Sequence, residues 1–224
     1  MAEHQDPTLA AIVEAALPHV AFDGWSPATF RAAVRDSGTD PAMARALAPR
    51  GSVDLALAFH RQGDARMRTR LAEADLSNMR YRDKVAHAVR QRIEAAEDRE
   101  AVRRGMTLFA LPPYAALGAQ ALWGTADAIW DALGDTSDDV NWYTKRATLS
   151  GVYGSTVLYW LGDDSPDVRD TWAFLERRIE DVMRIEKLKA QVRKTPVFGQ
   201  VMEGPNWVMS RFRRPPQRSD VPGI

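Results

Sequence analysis

Helix-start signals recur along this chain and constrain its fold more than any other feature. Ser26-Pro27 and Asp40-Pro41 each pair a capping side chain with a proline whose missing N–H is harmless at the first helical position. Ser165-Pro166 repeats the pattern, and apolar residues between the signals return at helical intervals. No convincing alternating strand pattern is found. The sequence therefore predicts an all-α protein.

The helix-start signals and the helix-breaking residues divide the chain into segments of helical length. We expect helices over 8–20, 27–35, 41–49, 52–76 and 79–104, one or two within 105–126, one from about 136–139 to 161, and one starting at Ser165. A functional division follows from the character of these segments: a helix-turn-helix-like region at 1–50, a ligand-binding body at 51–190 and a basic amphipathic tail at 191–224.

Composition and motifs exclude several kinds of chemistry. The chain has no cysteine, so disulfides, thiolate nucleophiles and zinc–thiolate sites are excluded, and its 30 basic residues balance 30 acidic ones. It lacks the phosphate-loop, dinucleotide, nucleophile-elbow and His-Glu-x-x-His motifs, and none of its four histidines lies three residues after a glutamate. We predict no catalysis, no metal site and no cofactor. An unrecognised hydrolase or metalloenzyme is one alternative.

The first fifty residues resemble the head of TetR regulators. The resemblance rests on three short predicted helices, the turn at Ser37-Gly38, and the pairs Gly24-Trp25 and Thr29-Phe30. A DNA-reading helix needs several cations to neutralise phosphates, but residues 40–46 contain a single arginine, Arg45. We therefore expect an inherited scaffold that binds no nucleic acid. A TetR-type ligand-responsive transcriptional regulator is the alternative function.

Residues 133–183 form the most specific pattern in the chain. Its elements are Gly134-Asp135-Thr136-Ser137, then Asn141-Trp142-Tyr143 and Lys145-Arg146, and finally Thr171-Trp172 with Phe174-Leu175. This contiguous block resembles the ubiquinone biosynthesis protein COQ9 family. The layout of the remainder, a TetR-like head, an apolar middle and a basic tail, is similar to that family as well.

The resemblance implies a non-catalytic accessory protein of ubiquinone biosynthesis, built as a TetR-like homodimer. It implies an isoprenoid lipid or quinone intermediate held in the body and presented to the di-iron demethoxyubiquinone hydroxylase. It also implies a docking patch for that hydroxylase, formed by Asp139, Trp142, Tyr143, Lys145 and Arg146. Neighbours on a helix point about 100° apart, so Trp142 and Tyr143 cannot both face the core. One should reach a surface; core burial is the alternative.

Between Arg104 and Asp127 lie 22 consecutive uncharged residues, a length that could cross a bilayer. Pro112-Pro113 and three glycines interrupt the stretch, which favours one or two helices buried in a core. The slightly longer segment 105–130 is also apolar enough to line a channel for an isoprenoid tail, although the same residues could simply fill the core. The predicted lining residues are Leu108, Phe109, Leu111, Tyr114, Leu117, Leu122, Trp123 and Trp130.

The tail combines an apolar stripe with cations. From Arg184 to Arg218 there are nine Lys or Arg against two acids. This composition is typical of a helix in a membrane interface, with Gly204-Pro205 as a weakening kink; docking on the body or on a second subunit is the alternative. The N-terminus shows no targeting signal, so we expect a cytoplasmic protein, peripheral on the inner face of the cytoplasmic membrane. The predicted membrane-interface residues are Phe198, Val201, Met202, Trp207, Met209 and Phe212.

Overall fold

The computed structural model of the chain describes the backbone of residues 6–194 and the side chains of residues 6–184. Every regular element in this range is helical, so the all-α prediction is confirmed. Two short 3-10 turns, Pro112–Tyr114 and Pro166–Val168, interrupt the α-helices. The α-helices are α1 (Pro7–Asp23), α2 (Pro27–Asp36), α3 (Pro41–Leu47), α4 (Ser52–Glu73), α5 (Tyr81–Glu94), α6 (Arg99–Phe109), α7 (Ala115–Ala132), α8 (Val140–Leu161) and α9 (Arg169–Lys194).

The predicted start signals act as helix caps. Ser26 accepts a hydrogen bond from the Thr29 amide at the start of α2. Asp40 accepts two, from the amides of Ala42 and Met43, at the start of α3. These bonds satisfy amides that lack partners within the first turn of a helix. The three short helices predicted for the first fifty residues are therefore present.

The prediction of one helix over 79–104 is wrong. The chain leaves α5 after Glu94, passes through a left-handed residue at Glu97 (φ 58°), and starts α6 with Asp98 as a cap for the Ala101 amide. Arg66 of α4 donates to the carbonyl of Ala95, an acceptor that the end of α5 leaves open. The residues on both sides of this break are good helix formers. The break is therefore accompanied by a tertiary contact and not by a helix-breaking residue.

The chain divides into two compact units, Met1–Ala132 and Leu133–Ile224. The first contains α1 to α7, with a core built mainly on α1, α2 and α4. Trp25 joins this core to α6: its ring packs on Phe59, with centroids 5.8 Å apart, and its indole N–H donates to the Ala101 carbonyl at 3.0 Å. The functional division at residues 50 and 190 stays a prediction.

The second unit pairs α8 with α9. Its buried apolar residues lie along both helices: Leu149, Val152, Tyr153, Val157, Leu161, Leu175 and Ile179. Between the helices, Asp163 accepts from the amide and the hydroxyl of Thr171 and from the Ser165 amide, which lowers its pKa far below the ordinary value. Asp163 therefore shares the capping of this helix start with Ser165, the residue predicted for it.

Candidate functional site

The uncharged stretch 105–126 lies partly at the surface, so the prediction that it is buried is wrong for much of its length. It runs from the end of α6 through the 3-10 turn into α7. Residues 110–113 are all exposed, and Leu111 keeps 49% of its surface accessible. Burial resumes near Thr125, where α7 packs against α4 and α5. Low polarity marks the stretch in the sequence, but contact with other helices decides its burial. No helix within residues 6–194 is long and apolar enough to cross a membrane.

The predicted lipid-lining residues take three different positions. Trp130 is buried in the core and Leu111 is exposed. Gly118 allows the start of α7 to approach α6 closely, since a Cβ there would lie 2.7 Å from the Cβ of Phe109. The role of the eight predicted lining residues in lipid binding stays a prediction. The other six are half-buried at the surface of the first unit: Leu108, Phe109, Tyr114, Leu117, Leu122 and Trp123.

Behind the buried part of α7 lies a polar cluster that the sequence analysis missed. His60 Nε2 is 2.8 Å from the hydroxyl of Thr125, and that hydroxyl donates to Asp64 at 2.8 Å. Arg92 of α5 forms a buried ion pair with Asp64 and donates to the His60 carbonyl. Burial, followed by the nearby Arg92 charge, lowers the pKa of His60 to about 4. The four-residue spacing of His60 and Asp64 on α4 was the available signal.

The cluster gives α4 a polar connection to two neighbouring helices. The His60 ring also lies 3.2 Å from the Ala121 carbonyl, one turn before Thr125 on α7. Because Thr125 donates to Asp64, its oxygen accepts from His60, which requires the Nε2–H tautomer. Within residues 6–184, no group of three or more His, Asp or Glu side chains is arranged to hold a metal ion.

The predicted docking patch lies at the start of α8. Asp139 is exposed and caps the helix by accepting from the Asn141 amide at 2.8 Å. Trp142 and Tyr143 are half-buried, and their rings meet edge to face with centroids 4.8 Å apart. Neither ring lies in the core, as the geometry of adjacent helical residues requires for at least one of them.

The two cations of the patch bind a carboxylate, Asp135, that the sequence analysis placed in the family block but not in the patch. Lys145 Nζ binds Asp135 at 2.6 Å, and Arg146 binds the other oxygen of Asp135 at 3.1 Å. Arg146 is only 1% exposed, so its guanidinium is not part of the surface. Burial acts to raise the pKa of Asp135, but hydrogen bonds from Lys145, Ser137 and Arg146 outweigh it and lower that pKa.

The architecture of this chain is that of TetR regulators. A crystal structure of a TetR transcriptional regulator from Nitrosomonas europaea ATCC 19718 matches with a TM-score of 0.63, covering 78% of this chain and 97% of that one. At 20% identity this likeness concerns the fold alone. The class defined by the structure is thus an all-α protein with a TetR-like fold, as predicted.

Sequence comparison narrows the class to one family. The COQ9 family model matches residues 115–186. "Ubiquinone biosynthesis protein COQ9, mitochondrial" of Rattus norvegicus is 33% identical over 195 residues, covering 82% of this chain and 61% of that protein. COQ9-A of Xenopus laevis is 45% identical over 91 residues, which cover 41% of this chain and 28% of that protein. The chain is thus similar to the COQ9 family over most of its length, and it spans about three fifths of the length of these mammalian relatives.

Proposed function

We propose that this chain is a non-catalytic, lipid-binding accessory protein of ubiquinone biosynthesis. It binds an isoprenoid quinone intermediate along α6 and α7 and presents it to the demethoxyubiquinone hydroxylase at the patch on α8. The observation that carries the proposal is the COQ9 family match over 115–186, because this span includes α7 and the whole patch. The relatives are named as ubiquinone biosynthesis proteins, which supplies the pathway for the proposal.

The exposure of the apolar residues supports lipid binding. An isoprenoid tail needs a long surface of aliphatic and aromatic side chains with few polar groups. The seven predicted lining residues other than Trp130 are half-buried or exposed, so they can contact a ligand, whereas Trp130 serves the core. An apolar surface of this kind on a single chain is typical of ligand and partner sites.

The first test is organic extraction of the purified protein followed by mass spectrometry. We expect an isoprenoid or quinone intermediate at a sizeable fraction of one per chain. Leu111→Gln combined with Leu117→Gln should reduce this lipid, and the melting temperature should hold because neither residue is core. An empty wild-type protein, or one that carries bulk phospholipid only, would contradict the proposal.

The second test addresses docking through Trp142. Trp142→Ala should weaken binding of the purified hydroxylase by about tenfold or more, as truncation of an aromatic anchor commonly does. Helicity and melting temperature should change little because the ring is only half-buried. Tyr159→Ala is the matched control, since Tyr159 is another accessible aromatic residue on α8 and lies outside the patch. Equal loss in both variants, or none in Trp142→Ala, would count against the patch.

The remaining parts of the proposal concern assembly and location. We propose a homodimer that is peripheral on the inner face of the cytoplasmic membrane, with the basic tail as its contact. The residues predicted for that contact, from Phe198 to Phe212, lie outside the described residues. A ligand-responsive TetR-type regulator is the second candidate, because the three-helix head is complete.

A further inference from the structure

We propose that Asp135 and Arg146 position Trp142 for docking, from beneath the surface that meets the partner. This inference rests on the proposed function, since it assigns a supporting pair to the same docking patch. It changes the role of Arg146, which the family resemblance places in the patch itself, and it adds Asp135, which the resemblance places outside the patch.

The contacts of Arg146 with Trp142 are the first part of the argument. The guanidinium carbon lies 4.0 Å from the centroid of the Trp142 ring, in cation–π contact with one face. Arg146 Nη1 also donates to the Trp142 carbonyl at 3.3 Å, one turn back along α8. One side chain therefore fixes both the indole ring and the backbone that carries it.

Asp135 in turn fixes Arg146. Its side chain is 3% exposed and that of Arg146 is 1% exposed, so both charges have left water. A buried guanidinium is tolerated when a carboxylate and a carbonyl accept its donors, and Arg146 has both. Lys145 and Ser137 bind the second oxygen of Asp135 and hold that carboxylate in place. The pair thus joins the loop before α8 to the first turns of the helix.

A fixed ring matters for binding because an aromatic anchor that is already ordered loses less conformational entropy when it docks. Arginine suits this position better than lysine does. Its planar guanidinium can stack on the indole and still pair with Asp135, whereas an ammonium is a point charge. The pair therefore acts on the partner through Trp142 without touching the partner.

The test uses protein labelled with 5-fluorotryptophan, with the Trp142 resonance assigned by Trp142→Phe. In Arg146→Met and in Asp135→Asn we expect that resonance to shift or broaden while most other tryptophan signals stay unchanged. Hydroxylase affinity should fall by about tenfold, the loss typical of a displaced anchor. Compared with Arg146→Met, Arg146→Lys should recover most of the wild-type stability. It should recover less of the wild-type Trp142 resonance and of the hydroxylase affinity.

Arg92→Met is the matched control. Arg92 forms an equally buried ion pair with Asp64 in the other unit, and its side chain is 4% exposed. This variant should lose stability while the Trp142 resonance and the hydroxylase affinity remain as in the wild type. An equal loss of affinity in Arg92→Met would show that instability alone causes the effect and would overturn the inference.

Two further outcomes separate the inference from the proposed function. If Trp142→Ala loses the hydroxylase but Arg146→Met keeps both the wild-type resonance and the wild-type affinity, the positioning role is wrong and the docking patch stands. If Trp142→Ala binds as well as the wild type, the docking patch is wrong. The fluorine resonance then still decides whether Asp135 and Arg146 hold the ring.

Discussion

Gly63 lies where the guanidinium of Arg92 crosses α4, and no larger residue fits there without moving it. A Cβ at this position would lie 2.6 Å from Arg92 Nη1 and 2.7 Å from its Cζ. The guanidinium has little freedom to retreat because Asp64 and the His60 carbonyl hold it. Gly63→Ala should therefore destabilise the protein by about 1–3 kcal/mol, measured by urea unfolding.

Gly124→Ala provides the comparison for Gly63→Ala. Gly124 also lies within a helix of the first unit, but a Cβ there would meet no atom within 4 Å other than those of its chain neighbours and of the adjacent backbone of its own helix. Alanine is the better helix former, so this change should stabilise by about 0.5–1 kcal/mol. The prediction for Gly63 fails if both substitutions stabilise to the same extent, because the Arg92 contact would then be inconsequential.

His60 makes stability depend on pH. Its pKa falls from 6.5 to about 4 on folding, mainly through burial and secondarily through Arg92. The unfolded chain then takes up a proton first as the pH drops, which favours unfolding. The free energy of unfolding therefore keeps its full value with respect to His60 above pH 6.5. It decreases by roughly 3 kcal/mol as the pH falls toward 4.

His60→Gln isolates this effect. The glutamine amide can still donate toward Thr125 but does not titrate, so the stability of the variant should fall less between pH 6.5 and 4. The charged residues around His60 are Asp64 and Arg61 on α4 and Arg92 on α5, and they remain in both proteins. Parallel stability curves for wild type and variant over this range would contradict the assignment.

At the scale of single elements, the sequence correctly predicted those helix boundaries that depend on residues close together in the chain. The caps at Ser26 and Asp40 were correct because a cap involves residues only two or three positions apart. The break after Glu94 was missed, since a bond from Arg66, 29 residues away from Ala95, accompanies it. Exposure along 110–124 was missed for a related reason: low polarity predicts that a segment avoids water, but it does not specify a packing partner.

Helix α3 is the element that separates the two candidate functions. The exposed residues of α3 are Pro41, Ala42, Met43, Arg45 and Ala46, with Arg45 as the one cation among them. DNA affinity depends on several phosphate neutralisations, so a gel-shift assay with the upstream region should detect no binding tighter than about 1 μM at physiological salt. Tight binding that weakens steeply with added salt would instead favour the regulator.

At the scale of the whole molecule, the predicted sites fall in different compact units. The predicted lipid-lining residues lie on α6, on α7 and in the segment between these helices in the first unit, and the predicted patch lies at the start of α8 in the second. The sequence predicted the patch residues from one contiguous block of the chain, and their role in docking stays a prediction. It did not identify Asp135 as the partner of Arg146, 11 positions later, or Thr125 as the partner of His60, 65 positions earlier. Such pairs are created only by the fold.

The tail is where the whole chain is expected to meet a membrane. Its predicted contact residues lie outside the described residues, so the argument is one of composition: Trp207 and Phe212 supply apolar contact, and Arg211, Arg213 and Arg214 supply charge. Truncation after Lys194 should abolish co-flotation with vesicles of anionic and neutral lipid. The melting temperature should be retained, because the truncation leaves intact all the buried core residues found among the described side chains of residues 6–184.

Two substitution sets divide the apolar and the charged contributions of the tail. Replacing the three arginines with glutamine should weaken binding to anionic vesicles and reduce its sensitivity to salt, with little change on neutral vesicles. Trp207→Ser with Phe212→Ser should weaken binding to both, because the loss of apolar contact does not depend on headgroup charge. If the truncated protein floats as well as the full chain does, the membrane contact belongs to another surface. The apolar residues around Leu111 and Leu117 would then be the next to replace, since they are accessible.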